Sequence, residues 1–298
     1  MRVQDLISSK PVTRIGLFTG QHMPRWVGYR LARIVASLIA RKKPQVYWTV
    51  QANLSQVLGL KDGDGKLHEM TRHVFFHAGQ TYYDFFNAIG RAKESLAEAV
   101  RISSDTLAFI RSQIAQKQGI LLLIAHMSNF DLVGLSVAAR GLPIQVLSLA
   151  NPEAGFHILN YLRGQSGLEV TPITPASLRA AVRRLKDGGL VATGVDRPVP
   201  GDRELIEFFG QPAYLPVGPV RLALMTEATV IMGSCHYEPD EGYILKATGP
   251  IQMTRSGDRR QDVLINARRL AVILEEFVRA HPEQWMMFHP VWPERLGA

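Results

Sequence analysis

The 298-residue chain is 46% hydrophobic and 20% charged, enough apolar material for a sizeable folded core. Its 34 Lys and Arg outnumber 26 Asp and Glu, and the whole net charge of +8 sits in residues 1–43, where nine basic residues face Asp5 alone. With no zinc-finger spacing and no interleaved aromatic and basic platform, this charge points away from nucleic acid. The single cysteine, Cys235, excludes an internal disulfide framework, fits a reducing compartment and, in "ATVIMGSCHY", reads as a buried thiol.

Along the chain, "PRWVGYRLARIVASLIARKKP" predicts a helix from about Arg25 to Arg41, closed by Pro44. At a period of about 3.6 residues, Val27, Leu31, Ile34, Val35, Leu38 and Ile39 share one arc, with Arg25, Arg30, Arg33 and Arg41 on the other. Such a basic amphipathic helix suits either a surface helix packed on the core or a helix lying on an anionic membrane. On a membrane, Arg41, Lys42 and Lys43 would each add roughly 1 kcal/mol near the surface. No run of about 18 apolar residues marks a spanning helix. Arg25, Arg30 and Arg33 break the apolar stretch that a secretory signal needs.

Residues 44–117 read mostly as helix: "QVYWTVQANLSQVLGL", then "KLHEMTRHVFFHAGQTYYDFFNAIG" after the turn "KDGDG", then "SSDTLAFIRSQIAQKQG" with Ser103 or Ser104 as N-cap. From Gly119 onward, short apolar runs alternate with amphipathic segments. The predicted strands are "ILLLIA", "PIQVLSLA", "LEVTPI", "GLVATGV", "LIEFF", "ATVIMGSC" and "YILKATG". The predicted helices are "SLRAAVRRLKDGG", "PVGPVRLALMTE" and "QDVLINARRLAVILEEFVRAHP". The expected fold is therefore α/β, a largely parallel central sheet flanked by helices, with a helical N-terminal region over 1–117 and the α/β core over 118–298 as one continuous unit.

In such a sheet, functional groups gather beyond the carboxyl ends of the strands, and His126 stands at that end of "ILLLIA". A helix starting near Ser128 or Asn129 puts Asp131 in its first turn, where its carboxylate can meet one imidazole nitrogen and leave the other as a general base. A structural histidine and an aspartate placed for the helix dipole fit the same spacing. His157, His236, His281 and His289 offer no metal-ligand spacing such as H-E-x-x-H, there is no cysteine cluster, and no metal is expected. "GQSGL" around Ser166 is not a G-x-S-x-G elbow, and no Gly-rich phosphate loop is present. Without an enzyme nucleophile, the remaining chemistry is direct attack of a substrate hydroxyl on a thioester or ester, which is acyl transfer.

The His-x-x-x-x-Asp pattern in "AHMSNFD", followed in order by "SLRAAVRRLKDGGLVATGVDRPVPG", "EFFGQPAYLPVGPVRLALMTEATVI" and "HPEQWMMFHPVWP", resembles the lysophospholipid acyltransferase superfamily. Within it, the chain is most similar to the bacterial lipid A biosynthesis (lauroyl or myristoyl) and phosphatidylinositol mannoside acyltransferases. The resemblance implies a glycerolipid acyltransferase-like fold, with His126 as general base and Asp131 as its orienting partner. It also implies Asp196 and Arg197 lining a head-group site, Arg163 as a further basic contact, and Phe208, Phe209 and Gly210 closing the wall of an acyl channel. The co-substrate would be an acyl carrier protein or acyl-CoA thioester, with no cofactor, and the acceptor a glycolipid or lysolipid hydroxyl. The setting would be the cytoplasmic face of the cell (inner) membrane, with peripheral or monotopic attachment to an anionic surface. Ser128 departs from the Gly or Arg that many members carry near that position, which leaves the oxyanion contacts open. A catalytically inactive lipid-binding membrane protein and an acyl-thioester hydrolase are the competing readings.

Overall fold

The computed structural model describes residues 10–89, 91–149, 160–164, 168–197, 199 and 201–292. Four helices lead: α1 (Lys10–His22), α2 (Arg25–Lys42), α3 (Gln45–Leu58) and the long α4 (Gly65–Ala88). The short α5 (Lys93–Glu98), β1 (Val100–Ile102) and α6 (Ser104–Ala115) follow. Ser103 caps α6, its hydroxyl accepting from the Thr106 N–H at 3.1 Å. Then come β2 (Ile120–Ile124), α7 (Phe130–Ala139), β3 (Ile144–Ser148), β4 (Glu169–Pro172), α8 (Pro175–Lys186) and β5 (Leu190–Gly194). The hairpin β6 (Arg203–Phe208) and β7 (Gln211–Pro216), α9 (Gly218–Thr226), β8 (Thr229–Glu238), β9 (Gly242–Ala247) and α10 (Arg259–Ala280) complete the chain, with a 3-10 turn at Pro282–Gln284.

Seven strands form one sheet in the order β1-β9-β8-β2-β5-β3-β4, parallel at every pairing except the antiparallel β8–β9 contact. The expected largely parallel sheet with flanking helices is therefore present. β2 lies at its centre, and all five of its residues are buried because both of its faces are covered. Leu121 and Leu123 join a core with α8, α9, α10 and the β6–β7 hairpin. Ile120, Leu122 and Ile124 join the opposite core with α4, α6 and α7.

Three strands differ from the expectation, and one of them, β7 in "QPAYLP", is absent from the predicted strands. β1 is a three-residue edge strand inside the otherwise helical N-terminal region, too short to leave an alternating signature. "LIEFF" belongs to β6, which pairs with β7 in a separate two-stranded sheet rather than joining the central one. Only its inward residues Ile206 and Phe208 are buried, because the hairpin has one covered face.

α2 packs against α4 through a stripe of Gly28, Ala32, Ala36 and Ala40, one residue per turn. Small residues let the helices approach closely: a Cβ on Gly28 would lie 2.2 Å from the Tyr83 ring, and one on Gly79 2.8 Å from that of Ala32. The apolar arc read from the sequence points the other way. Leu31, Ile34, Val35 and Leu38 are exposed, as are Trp26 and, on α1, Ile15 and Phe18. The half-buried Asp84 on α4 binds α2 to the sheet, accepting from the hydroxyls of Tyr29 at 2.7 Å and Tyr243 at 2.6 Å. Among the described residues, no helix is long and apolar enough to cross a membrane.

Gly28→Val forces a branched side chain into the Tyr83 ring. The expected cost is about 1–3 kcal/mol, read as a melting midpoint lowered by a few degrees, whereas Gly65→Ala at the open start of α4 leaves the midpoint unchanged or higher.

Candidate active site

The parallel register of β2 on β5 pairs Ile124 with Gly194. Two residues beyond those ends, the same register brings His126 opposite Asp196. Both carboxylate oxygens are used: Oδ1 lies 2.6 Å from His126 Nδ1, and Oδ2 accepts from the His126 backbone N–H at 2.8 Å and from the Trp285 indole N–H at 2.9 Å. Asp196 is fully buried. Burial alone would raise its pKa, but the charge and hydrogen bonds of His126, with the indole, outweigh that cost and hold the carboxyl below its ordinary range. An ionised carboxylate there requires a proton on Nδ1, which leaves the Nε2 lone pair as the basic face of the ring.

The imidazole side chain is 27% exposed, its partner not at all. Phe130 meets the ring edge-on, with centroids 5.0 Å apart. On the other flank Gly194 leaves room, since a Cβ there would come within 2.8 Å of Cε1. The turn after His126 is held by the C-terminal segment. The Ser128 N–H donates to the Gln284 carbonyl at 2.8 Å, the Met286 N–H donates to the His126 carbonyl at 2.9 Å, and Met127 bridges Trp285. Ser128 is buried in the left-handed region (φ 45°), where glycine would be relaxed, and its N–H is engaged by Gln284 rather than facing a substrate.

Asp131 stands in the first turn of α7, which Asn129 caps by accepting from the Leu132 N–H, as the spacing predicts. Its expected meeting with the imidazole is not found. Asp131 instead pairs with Arg163 at 2.8 Å, in a site where both side chains are nearly buried, and Asp196 occupies the Nδ1 side of His126. Arg163 also donates to Asn160 Oδ1, and its buried Nε has no hydrogen-bond partner among the described residues. Tyr82 feels Asp131, Arg163 and Arg197, and burial, then Asp131, pushes its phenol up. His289 is pushed down to about 4, by burial first and then by Arg197 and His126. The structure thus gathers His126, Asp131, Arg163, Asp196 and Arg197, together with Tyr82 and His289, into one neighbourhood.

Phe208 and Phe209 lie in the core, stacked on or edge-on to Trp292, and Phe208 meets Trp285 with ring centroids 6.2 Å apart. Gly210 is the exposed turn of the hairpin, with φ 71°. Ser166 and His157 lie outside the described residues. Trp285 and Gly194 were not singled out from the sequence. A glycine ending a buried strand two residues before an acid, in "ATGVD", and a tryptophan in the terminal block were the available signals.

Comparison with known proteins shows the family to which the chain belongs. Phosphatidylinositol mannoside acyltransferase of Mycobacterium tuberculosis is 27% identical over 183 residues, covering 60% of this chain and 56% of that protein. Its counterpart in Mycolicibacterium smegmatis is 26% identical over 179 residues, covering 59% and 57%. The chain thus spans little more than half the length of these curated relatives. A solved structure, the 1-acyl-sn-glycerophosphate acyltransferase of Thermotoga maritima, overlaps loosely at 16% identity and a TM-score of 0.34, covering 85% of this chain and 98% of that one. The family model described as bacterial lipid A biosynthesis acyltransferase matches residues 12–294, nearly the whole chain, and the protein belongs to that family.

Proposed function

We propose that this chain transfers a fatty acyl group from an acyl thioester, carried by acyl carrier protein or coenzyme A, to a hydroxyl of a lipid acceptor, with His126 as general base and Asp196 as the residue that orients it. The observation that carries this reading is the 2.6 Å contact between His126 Nδ1 and the buried Asp196, with the imidazole partly open to solvent. The acceptor hydroxyl approaches Nε2 and gives up its proton as its oxygen attacks the thioester carbonyl. The tetrahedral intermediate then collapses, the C–S bond breaks, and the same proton passes from Nε2 to the departing thiolate. Asp196 stays ionised throughout and stabilises the imidazolium in between.

The N–H groups of His126, Met127 and Ser128 are engaged by Asp196, Ala125 and Gln284. That leaves the first turn of α7 and the nearby arginines to stabilise the oxyanion. Arg163 and Arg197 also suit the phosphate of a lipid head group, with Asp131 holding Arg163 in place. The names of the relatives, phosphatidylinositol mannoside acyltransferases, support a glycolipid of that kind as a candidate acceptor.

The exposed apolar face of α2 supports attachment to a membrane surface. Leu31, Ile34, Val35, Leu38 and Trp26 are uncovered beside Arg30, Arg41, Lys42 and Lys43, so apolar insertion and attraction to anionic lipid act together.

Steady-state kinetics on an acyl thioester and a lipid acceptor separate the two aspartates. His126→Ala and Asp196→Asn are each expected to lower kcat by roughly 10²–10⁴-fold, whereas Asp131→Asn loosens Arg163 and raises KM for the acceptor with a smaller effect on kcat. Collapse of kcat in Asp131→Asn with Asp196→Asn near wild type would overturn the assignment. Release of free fatty acid at an undiminished rate without any acceptor would identify a hydrolase instead.

Co-sedimentation with vesicles containing anionic phospholipid tests the surface. Replacing Leu31 and Leu38 together by Glu removes two side chains worth about 1.5–3 kcal/mol each on burial. Binding should weaken by at least about tenfold while the melting midpoint holds, and unchanged binding would exclude α2 as the attachment face.

A further inference from the structure

β8 is ten residues long, and its second half runs past the end of β2, with β9 as its strand partner there. On this overhang stand His236 and Glu238, and His281 reaches them from the end of α10. Their donor atoms all lie within 4.8 Å of one another. The two imidazoles stack face to face, with centroids 4.4 Å apart and planes 9° apart, and His236 Nδ1 is buried without a hydrogen-bond partner. A buried ring nitrogen left unsatisfied beside a second imidazole and a carboxylate calls for a ligand that all three can share.

We propose that His236, Glu238 and His281 bind a first-row transition-metal ion of the zinc type. Two imidazoles and one carboxylate form the donor set that such ions take, with a fourth position for water, and it disfavours Mg²⁺ and Ca²⁺, which prefer all-oxygen shells. Tetrahedral coordination with metal–ligand bonds of about 2.0–2.1 Å requires ligand atoms roughly 3.3 Å apart. The side chains therefore close by rotating about χ1 and χ2, the two rings tilting out of their stack until their nitrogens converge. The surroundings favour loading. Glu283 adds negative charge, its carboxylate 4.0 Å from His281 Nδ1, while Lys246 opposes.

The sequence offers no ligand spacing because the donors come from positions 236, 238 and 281, and only the return of α10 to the end of β8 unites them. The position has a mechanical consequence. Between the donors, Gln284 pairs with Tyr237 like a strand, its amide accepting at 2.7 Å and donating at 3.0 Å, and the next residue is Trp285, which holds Asp196. An ion at this place clamps the segment that orients the imidazole without touching the reacting atoms.

The test uses tag-free full-length protein, stripped with chelator and titrated with CoCl₂ and ZnCl₂. A saturable visible d–d absorption at one cobalt per chain is expected. At zinc a hundredfold above its Kd, the melting midpoint should rise by about 4 °C for a chain of this size. Glu238→Gln and His236→Gln should each weaken cobalt binding at least tenfold and abolish the zinc-induced rise, while the metal-free midpoint of at least one of them stays at the wild-type value. Absence of saturable absorption, or cobalt binding unchanged in a correctly folded Glu238→Gln or His236→Gln protein, would overturn the site.

Discussion

The rest of the structure depends on the parallel register between β2 and β5. Pairing Ile124 with Gly194 fixes His126 opposite Asp196, and that register is itself fixed by the two cores. Leu121 and Leu123 pack on one side of the sheet, Ile120, Leu122 and Ile124 on the other. A slip of one residue would turn each set toward the wrong helices and carry His126 away from the carboxylate. The geometry of the His126–Asp196 pair is thus enforced by the burial of a five-residue apolar strand, which is a stronger constraint than any one hydrogen bond within the site.

Placing Asp196 at zero exposure is costly unless its charge is met, and it is met by three donors: two from His126 and one from Trp285. The third donor explains why the site needs the segment that follows α10. α10 carries residues 284–287 back across the sheet, where they pair with the turn after His126 and with the overhang of β8. Ser128 keeps a left-handed backbone in this turn because the Gln284 carbonyl captures its N–H. Removing the terminal segment would leave a buried carboxylate short of one partner and a strained turn without its anchor.

What the sequence made legible follows the range of the physics involved. Apolar runs bounded by Gly and Pro marked β2, β3, β4, β5, β8 and β9, and caps such as Ser103 and Asn129 marked helix starts, because those signals are local. The position of His126 at a strand end was equally legible. Its partner was not, because His126 and Asp196 are 70 residues apart and meet only through strand pairing, while Asp131 looked close along the chain. Once α7 begins at Phe130, helical geometry turns Asp131 toward Arg163. On α2 the sequence located an apolar arc without showing which face would be covered. The Gly28, Ala32, Ala36 and Ala40 stripe decided that, since only small residues allow the close approach to α4.

That close approach connects the outer helices to the chemistry. Over less than two turns of α4, neighbouring residues face different tasks: Gly79 and Tyr83 receive α2, Asp84 ties α2 to β9, Tyr82 lies beside Asp131 and Arg163, and the Thr81 carbonyl accepts from the side-chain amide of Asn129, the cap of α7, at 3.1 Å. A helix buried on so many sides cannot tilt without moving all of these contacts together. The uncovered face of α2 and the first turn of α7 beside His126 are therefore fixed relative to each other by one rigid element. Any surface that receives Leu31, Ile34 and Leu38 thereby also sets the orientation in which the imidazole is presented.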